Sequence, residues 1–235
     1  MSANSPITVF ALRKDRFYGE IALSLKNAPQ GFSLGGGLIP AGQDQVRMTL
    51  AVPPLPSAKP IRVTLEGRAT IAGNAVVHAA VPVEEVTQAF FNKHLVPAEE
   101  LQIVTVGGSK SQGLDGSPAR GLQSPMALMG SGPVRIPAGR TAEVRIAMPG
   151  NAAHGELEVE LSDPPPGIAL QSVSRVDQGI AILLRGDAEK VKPGLKGNLI
   201  ATAYQKTTTA DKKGKTREVR VSLGTLPAIP FEIVP

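Results

Sequence analysis

Cysteine is absent from all 235 residues, which excludes a disulfide framework, a thiolate metal site and a cysteine nucleophile. Tryptophan is absent as well, and the aromatics reduce to two tyrosines and six phenylalanines. Val, Ile, Leu and Ala must therefore fill the interior, which suits thin two-sheet packing better than cores built around large rings. No apolar run approaches the ~20 residues of a membrane span. The opening MSANSPITVF carries neither a basic region nor an apolar stretch of the signal-peptide kind, and residues 1–6 read as a frayed start.

Glycine and proline, by contrast, are plentiful at 25 and 21, the punctuation expected of short strands and many turns. The net charge of +5 is modest, and much of it falls between Asp211 and Arg220. Lys212, Lys213 and Lys215 form a basic run there, on a predicted hairpin tip. A nucleic-acid surface needs a broader basic stripe interleaved with stacking aromatics, so the run reads as a solvated tip that discourages edge pairing and as one candidate contact surface.

One pattern occurs twice. Gly19 to Leu34 reads GEIALSLKNAPQGFSL and Gly155 to Leu170 reads GELEVELSDPPPGIAL, and the two align without a gap. Alternating apolar positions (Ile21, Leu23, Leu25; Leu157, Val159, Leu161) describe a half-buried strand, and the Pro and Gly that follow describe the turn that ends it. Extended backwards without a gap, the repeat sets Phe10 on Ile146 and Leu12 on Met148. Pro125 to Gly139 then precedes the second copy with no counterpart before the first, so the first is expected to lack an edge strand or to be cut from a longer chain.

Taken in order, both copies continue with a strand, a Pro-rich or Gly-rich crossing and a hairpin. In the first copy Val46, Met48 and Leu50 alternate with Arg47 and Thr49, a strand with one wet face. Gly35-Gly36-Gly37 reads as a flexible bend. Residues 84–94 (EEVTQAFFNKH) break the strand rhythm. Acids at the start, Lys93 and His94 at the end, and Pro97 beyond predict a short helix. Residues 107–124, rich in Gly and Ser, read as a linker between domains spanning 1–106 and 125–235.

Chemistry is harder to find. His78, His94 and His154 lack second ligands at metal spacing, and His94 is expected to cap its helix. Gly107-Gly108-Ser109-Lys110-Ser111 fits neither a nucleophile elbow nor a phosphate loop. The adjacent pairs Glu84/Glu85 and Glu99/Glu100 need not face one another, and Asp163 lacks the companion acids of a calcium loop. No cofactor and no metal is therefore expected. Sugar-binding sheets stack pyranose rings on Trp or Tyr, which leaves Tyr18 beside Phe17 as a small contact site for a glycan. Phe91 is expected at the domain junction or facing a partner.

The stretch from ITVFAL through IRVTLEGRATIAGNAVVHAAVP, with the appendix VEEVTQAFFNKHLVPAEEL, resembles Ig-like modules of large secreted bacterial proteins, found near pre-peptidase C-terminal-type domains. The likeness covers most of residues 7–106 and, more weakly, 125–235. It implies an all-β fold of two tandem Ig-like antiparallel β-sandwiches with a short helix at the junction. It further implies an extracellular or cell-surface setting and a non-catalytic adhesion or spacer role beside a protein or cell-surface partner. An accessory glycan- or peptide-binding module of a secreted hydrolase, and a fibre subunit that exchanges strands, are the alternatives. The chain departs from antibody domains in lacking their Cys–Trp–Cys pin, so no antigen-type loop carries over.

Overall fold

The computed structural model describes residues 3–53, 59–87, 93–104, 126–148, 156–210 and 216–235. Among them every regular element is a strand. The N-terminal half contains β1 (Ala3–Phe10), β2 (Ile21–Lys26), β3 (Ser33–Gly35), β4 (Leu38–Ile39), β5 (Gln45–Val52), β6 (Ile61–Ile71), β7 (Asn74–Ala79), β8 (Val83–Thr87), β9 (Lys93–Pro97) and β10 (Leu101–Ile103). The C-terminal half contains β11 (Ala127–Met129), β12 (Val134–Pro137), β13 (Thr141–Ala147), β14 (Glu156–Ser162), β15 (Ile168–Val176), β16 (Gly179–Gly186), β17 (Lys196–Ala210), β18 (Thr216–Thr225) and β19 (Ile229–Val234).

Two of the expectations are corrected at once. Residues 84–94 do not form a helix: β8 and β9 pair antiparallel, with Val86 opposite His94 and Glu84 opposite Val96, while residues 88–92 lie outside the described part. The helical spacing of Val86 and Ala89 spans too few residues to hold a helix without tertiary support. The N-terminal residues are not frayed either, since Asn4, Ser5 and Pro6 pair with Ala51, Leu50 and Thr49.

The strands that the two halves share have the same order. In the first, β1-β5-β3 forms one sheet and β10-β6-β2-β4 the other, with β7 also on β6. In the second, β11-β13-β16-β15 faces β12-β19-β17-β14, with β18 also on β17. Leu25 lies opposite Leu65 and Leu161 opposite Ala201, so both partners recur 136 residues on (25 to 161, 65 to 201). The duplicated residues thus begin equivalent sheets. Each pair of sheets closes over its own core. Leu23, Ile39, Val46, Met48 and Leu65 form the first, and a larger set that includes Ile136, Ile146, Ile182, Leu199 and Phe231 forms the second.

The gapless extension to β1 slips by one residue. The Ala11 N–H donates to the Asp44 carbonyl and the Met148 N–H to that of Gln178, which makes Ala11 the counterpart of Met148 and Val9 that of Ile146. Phe10 points outward instead. The turn into β2 is one residue longer than the turn into β14, and a one-residue slip sends every side chain of a strand to the other face.

The second half has two strands that the first lacks among the described residues, β11 and β12; β12 runs parallel to β19 and buries Ile136. A Cβ on Gly186 would stand 3.2 Å from Ile136 Cγ2 and from the Pro137 carbonyl. The matching position on β5 is Val52, 6% exposed. In the first half a side chain thus fills the space that β12 takes in the second.

Candidate functional site

The polar face of β5 is not wet. Arg47 and Thr49 point away from the first core and meet the second half. Thr49 is 1% exposed, and its hydroxyl accepts from the Ala228 N–H at 2.9 Å. Asn198 Nδ2 donates to the carbonyls of Gly36, at 2.7 Å, and Arg47, at 2.8 Å. Arg47 Nη1 donates to the Ser162 carbonyl at 2.7 Å, and Asn4 Nδ2 to that of Thr225 at 3.1 Å. The ion pair of Arg47 with Asp163, at 3.4 Å, is exposed and adds little.

This seam explains the glycine run. Gly36 has φ +74° and a Cβ there would run into the Asn198 amide; a Cβ on Gly35 would stand 2.7 Å from Thr49 Oγ1. The bend read as flexible is a close approach of backbone to the Asn198 and Thr49 side chains, at positions where a Cβ would collide.

The corner of the second half that docks on Thr49 is short. The Leu226 N–H donates to the Ala201 carbonyl and Ile229 pairs with Leu199, so Pro227 and Ala228 alone span the step from β18 to β19. In the first half the Ala80 N–H donates to the Leu65 carbonyl and Leu101 pairs with Val63, the equivalent contacts. Residues 81–100, with the β8–β9 hairpin, are inserted between them. The hairpin is exposed on both faces: Val83 and Leu95 share one, Val86 and Val96 the other. A hollow of about 470 Å3 lies at its base, edged by Glu84, Glu99 and Glu100. Exposed apolar side chains on a two-stranded ribbon, with acids around them, make the candidate interaction site.

The residues singled out in the sequence are dispersed. Phe17 is half-buried, its ring lying against Gly19 and 5.5 Å below the Arg13 guanidinium. It is a packing residue of the turn between β1 and β2, not part of an open aromatic platform. Tyr18 is 68% exposed beside it, its carbonyl accepting from the Gly42 N–H. His94 lies exposed on β9 and caps no helix. Phe91, Lys212, Lys213 and Lys215 lie outside the described residues, as do His154 and the 107–124 linker. His78 is exposed on β7. Among the described residues no group of three metal-competent side chains forms, and no helix is long and apolar enough to cross a membrane.

Arg13, which carried no motif, holds the turn together. Its side chain is 9% exposed and donates to the carbonyls of Gly19 (2.6 Å), Pro40 (3.1 Å) and Gln43 (2.7 and 2.9 Å). Arg220 plays a looser part on the outer sheet. It stacks 3.6 Å from the Tyr204 ring centre and pairs with Glu160 at 2.8 Å and Glu158 at 3.1 Å. Its hydrogen bond to the Glu160 carboxylate raises its pKa above the ordinary arginine value. Asp187 goes the other way, its carboxylate held below its ordinary value of 3.8, chiefly by the Glu189 N–H and then by Lys190. These are surface ladders and turn bonds, with no acid–base pair aimed at a common point.

The sequence matches no family model, and no curated protein matches it.

Proposed function

We propose that the chain is two tandem Ig-like β-sandwiches acting as a non-catalytic structural and interaction module at the cell surface or outside the cell. The second half supports the fold reading, since its sheets have the A-B-E-D and A′-G-F-C strand order of that architecture, with β11 and β12 as the split first strand. The first half is the same arrangement without the split strand and with a short extra strand, β4, beside β2.

One observation carries the functional reading. The two halves meet through part-buried and buried side-chain-to-backbone hydrogen bonds, and among the described residues the first half carries an insertion that the second lacks, an exposed apolar hairpin. A block stiffened in this way holds that hairpin at a set position, which is what a spacer that presents a protein-binding ribbon requires. A photo-crosslinker at Leu95 in the full chain, used on intact cells, tests this. A discrete protein adduct at that position, with the chain accessible to protease shaving from outside, supports the module. Specific turnover of a peptide, ester or glycoside by the purified chain overturns it.

A further inference from the structure

The two halves do not close their cores equally. Among the described residues, eight apolar side chains are buried in the first half and nineteen in the second, over stretches of similar length. Equivalent positions show where the difference lies. Ile7 and Val9 on β1 are half-buried where Val144 and Ile146 on β13 are buried. Leu101 and Ile103 on β10 are half-buried where Ile229 and Phe231 on β19 are buried. In the second half β11 lies beside β13 and β12 beside β19, and no described strand takes either place in the first. Apolar burial is the main term that offsets the entropy of ordering a chain, so the first half has the weaker core on its own account.

The seam is correspondingly one-sided. The first half has the middle of β5 enclosed there: Thr49 is 1% exposed, and the carbonyls of Gly36 and Arg47 accept from Asn198. The second half brings to the seam the Ala228 N–H, the Asn198 amide and the carbonyls of Ser162 and Thr225. None of these four residues belongs to its core cluster. Water can satisfy those polar groups once the first half has left, at little net cost, while the core around Ile182 and Phe231 stays closed. The first half has no such reserve, since its own cluster is Leu23, Ile39, Val46, Met48 and Leu65.

We propose that the first half is conditionally folded: it folds on the second half as a template and opens as a unit while the second half stays intact, never the reverse. The seam is the latch of that opening. The β8–β9 hairpin belongs to the part that opens, so the latch also sets whether the hairpin is held in position. This order of folding does not depend on what the hairpin binds.

Pulsed hydrogen exchange of the full chain across a urea series, read by mass spectrometry of peptides from each half, tests it. β2, β5 and β6 are expected to lose protection at lower urea than β13, β16 and β17. Without urea, the slowest amides of the first three strands should exchange about tenfold or more faster than those of the second three. Two variants check the dependence. Met48→Asp places a charge in the first core and should strip protection from the first half alone. Ile182→Asp does the same to the second core and should strip protection from both halves. A single shared transition in the wild type, or loss in the second half first, overturns the proposal without recourse to either variant. A second half that unfolds in Met48→Asp, or a first half that stays protected in Ile182→Asp, overturns it as well.

Discussion

The N–H of Ala228 donates to the hydroxyl of Thr49 across 179 positions of sequence, at a point where Thr49 is almost wholly enclosed. Thr49→Val keeps the shape and removes the acceptor, leaving a buried N–H without a partner. The expected cost is about 1–3 kcal/mol, read as a lower urea midpoint with an unchanged slope. Wild-type stability in the variant would mean that the seam holds nothing together.

Gly36→Ala is expected to cost about 1–3 kcal/mol, because it combines a positive φ with a collision against the Asn198 amide. Asn198→Ala alone loses two donated hydrogen bonds at a further ~1–2 kcal/mol. The double variant should lose less than the sum, since removing the amide clears the space that the new methyl needs. Strict additivity in a denaturation cycle would place the strain of Gly36 in its backbone alone.

Arg13→Lys removes a planar fork that reaches three carbonyls and substitutes a single ammonium. The expected loss is about 2 kcal/mol. It should be local as well: hydrogen exchange at the Gly42 N–H, bonded to the Tyr18 carbonyl, should speed up more than exchange in β16. Uniform acceleration across the chain would assign Arg13 a global role instead.

Asp187 supplies a pH dependence whose sign is set by its hydrogen bond. Its folded pKa lies below the ordinary 3.8, so its contribution is complete above that value and disappears as pH falls through the folded pKa. Asp187→Asn should therefore melt slightly below the wild type at neutral pH. The gap should close on the acid side of the ordinary aspartate range. Thermal melts from about pH 6 to about pH 2 check this, and a gap that widens in acid would refute it.

Strand positions in the repeat were legible because Ile21, Leu23 and Leu25, like Leu157, Val159 and Leu161, alternate strictly, and alternation is the local signature of a strand with one buried side. The register of β1 was not. A one-residue difference in turn length is invisible to a pattern of period two until the partner strand is known, and Phe10 was set inward on that account. The 84–94 segment misled because acids before and Lys93 and His94 after a few apolar residues suit a helix and a ribbon equally. What decides between them is the pairing of Glu84 with Val96 and Val86 with His94.

The candidate site was legible only in part. His94 and the acids at 84–85 and 99–100 stand in the sequence as separate residues, and nothing in their order says that residues 81–100 interrupt a corner that two residues close in the other half. Phe17 reads in sequence as a small contact site with Tyr18 or as a turn-packing residue, and its contacts with Arg13 and Gly19 arise only through the fold of its turn.

Local chemistry in the chain determined the strands, the Pro-Gly turns and the duplication, since period-two burial and left-handed glycines need only neighbours in sequence to express them. Tertiary structure alone decided the fate of Arg47 and Thr49. A polar residue on the outer side of a strand has the same sequence signature whether water or another sheet satisfies it, and here Ala228, Asn198 and Ser162 take the place of water.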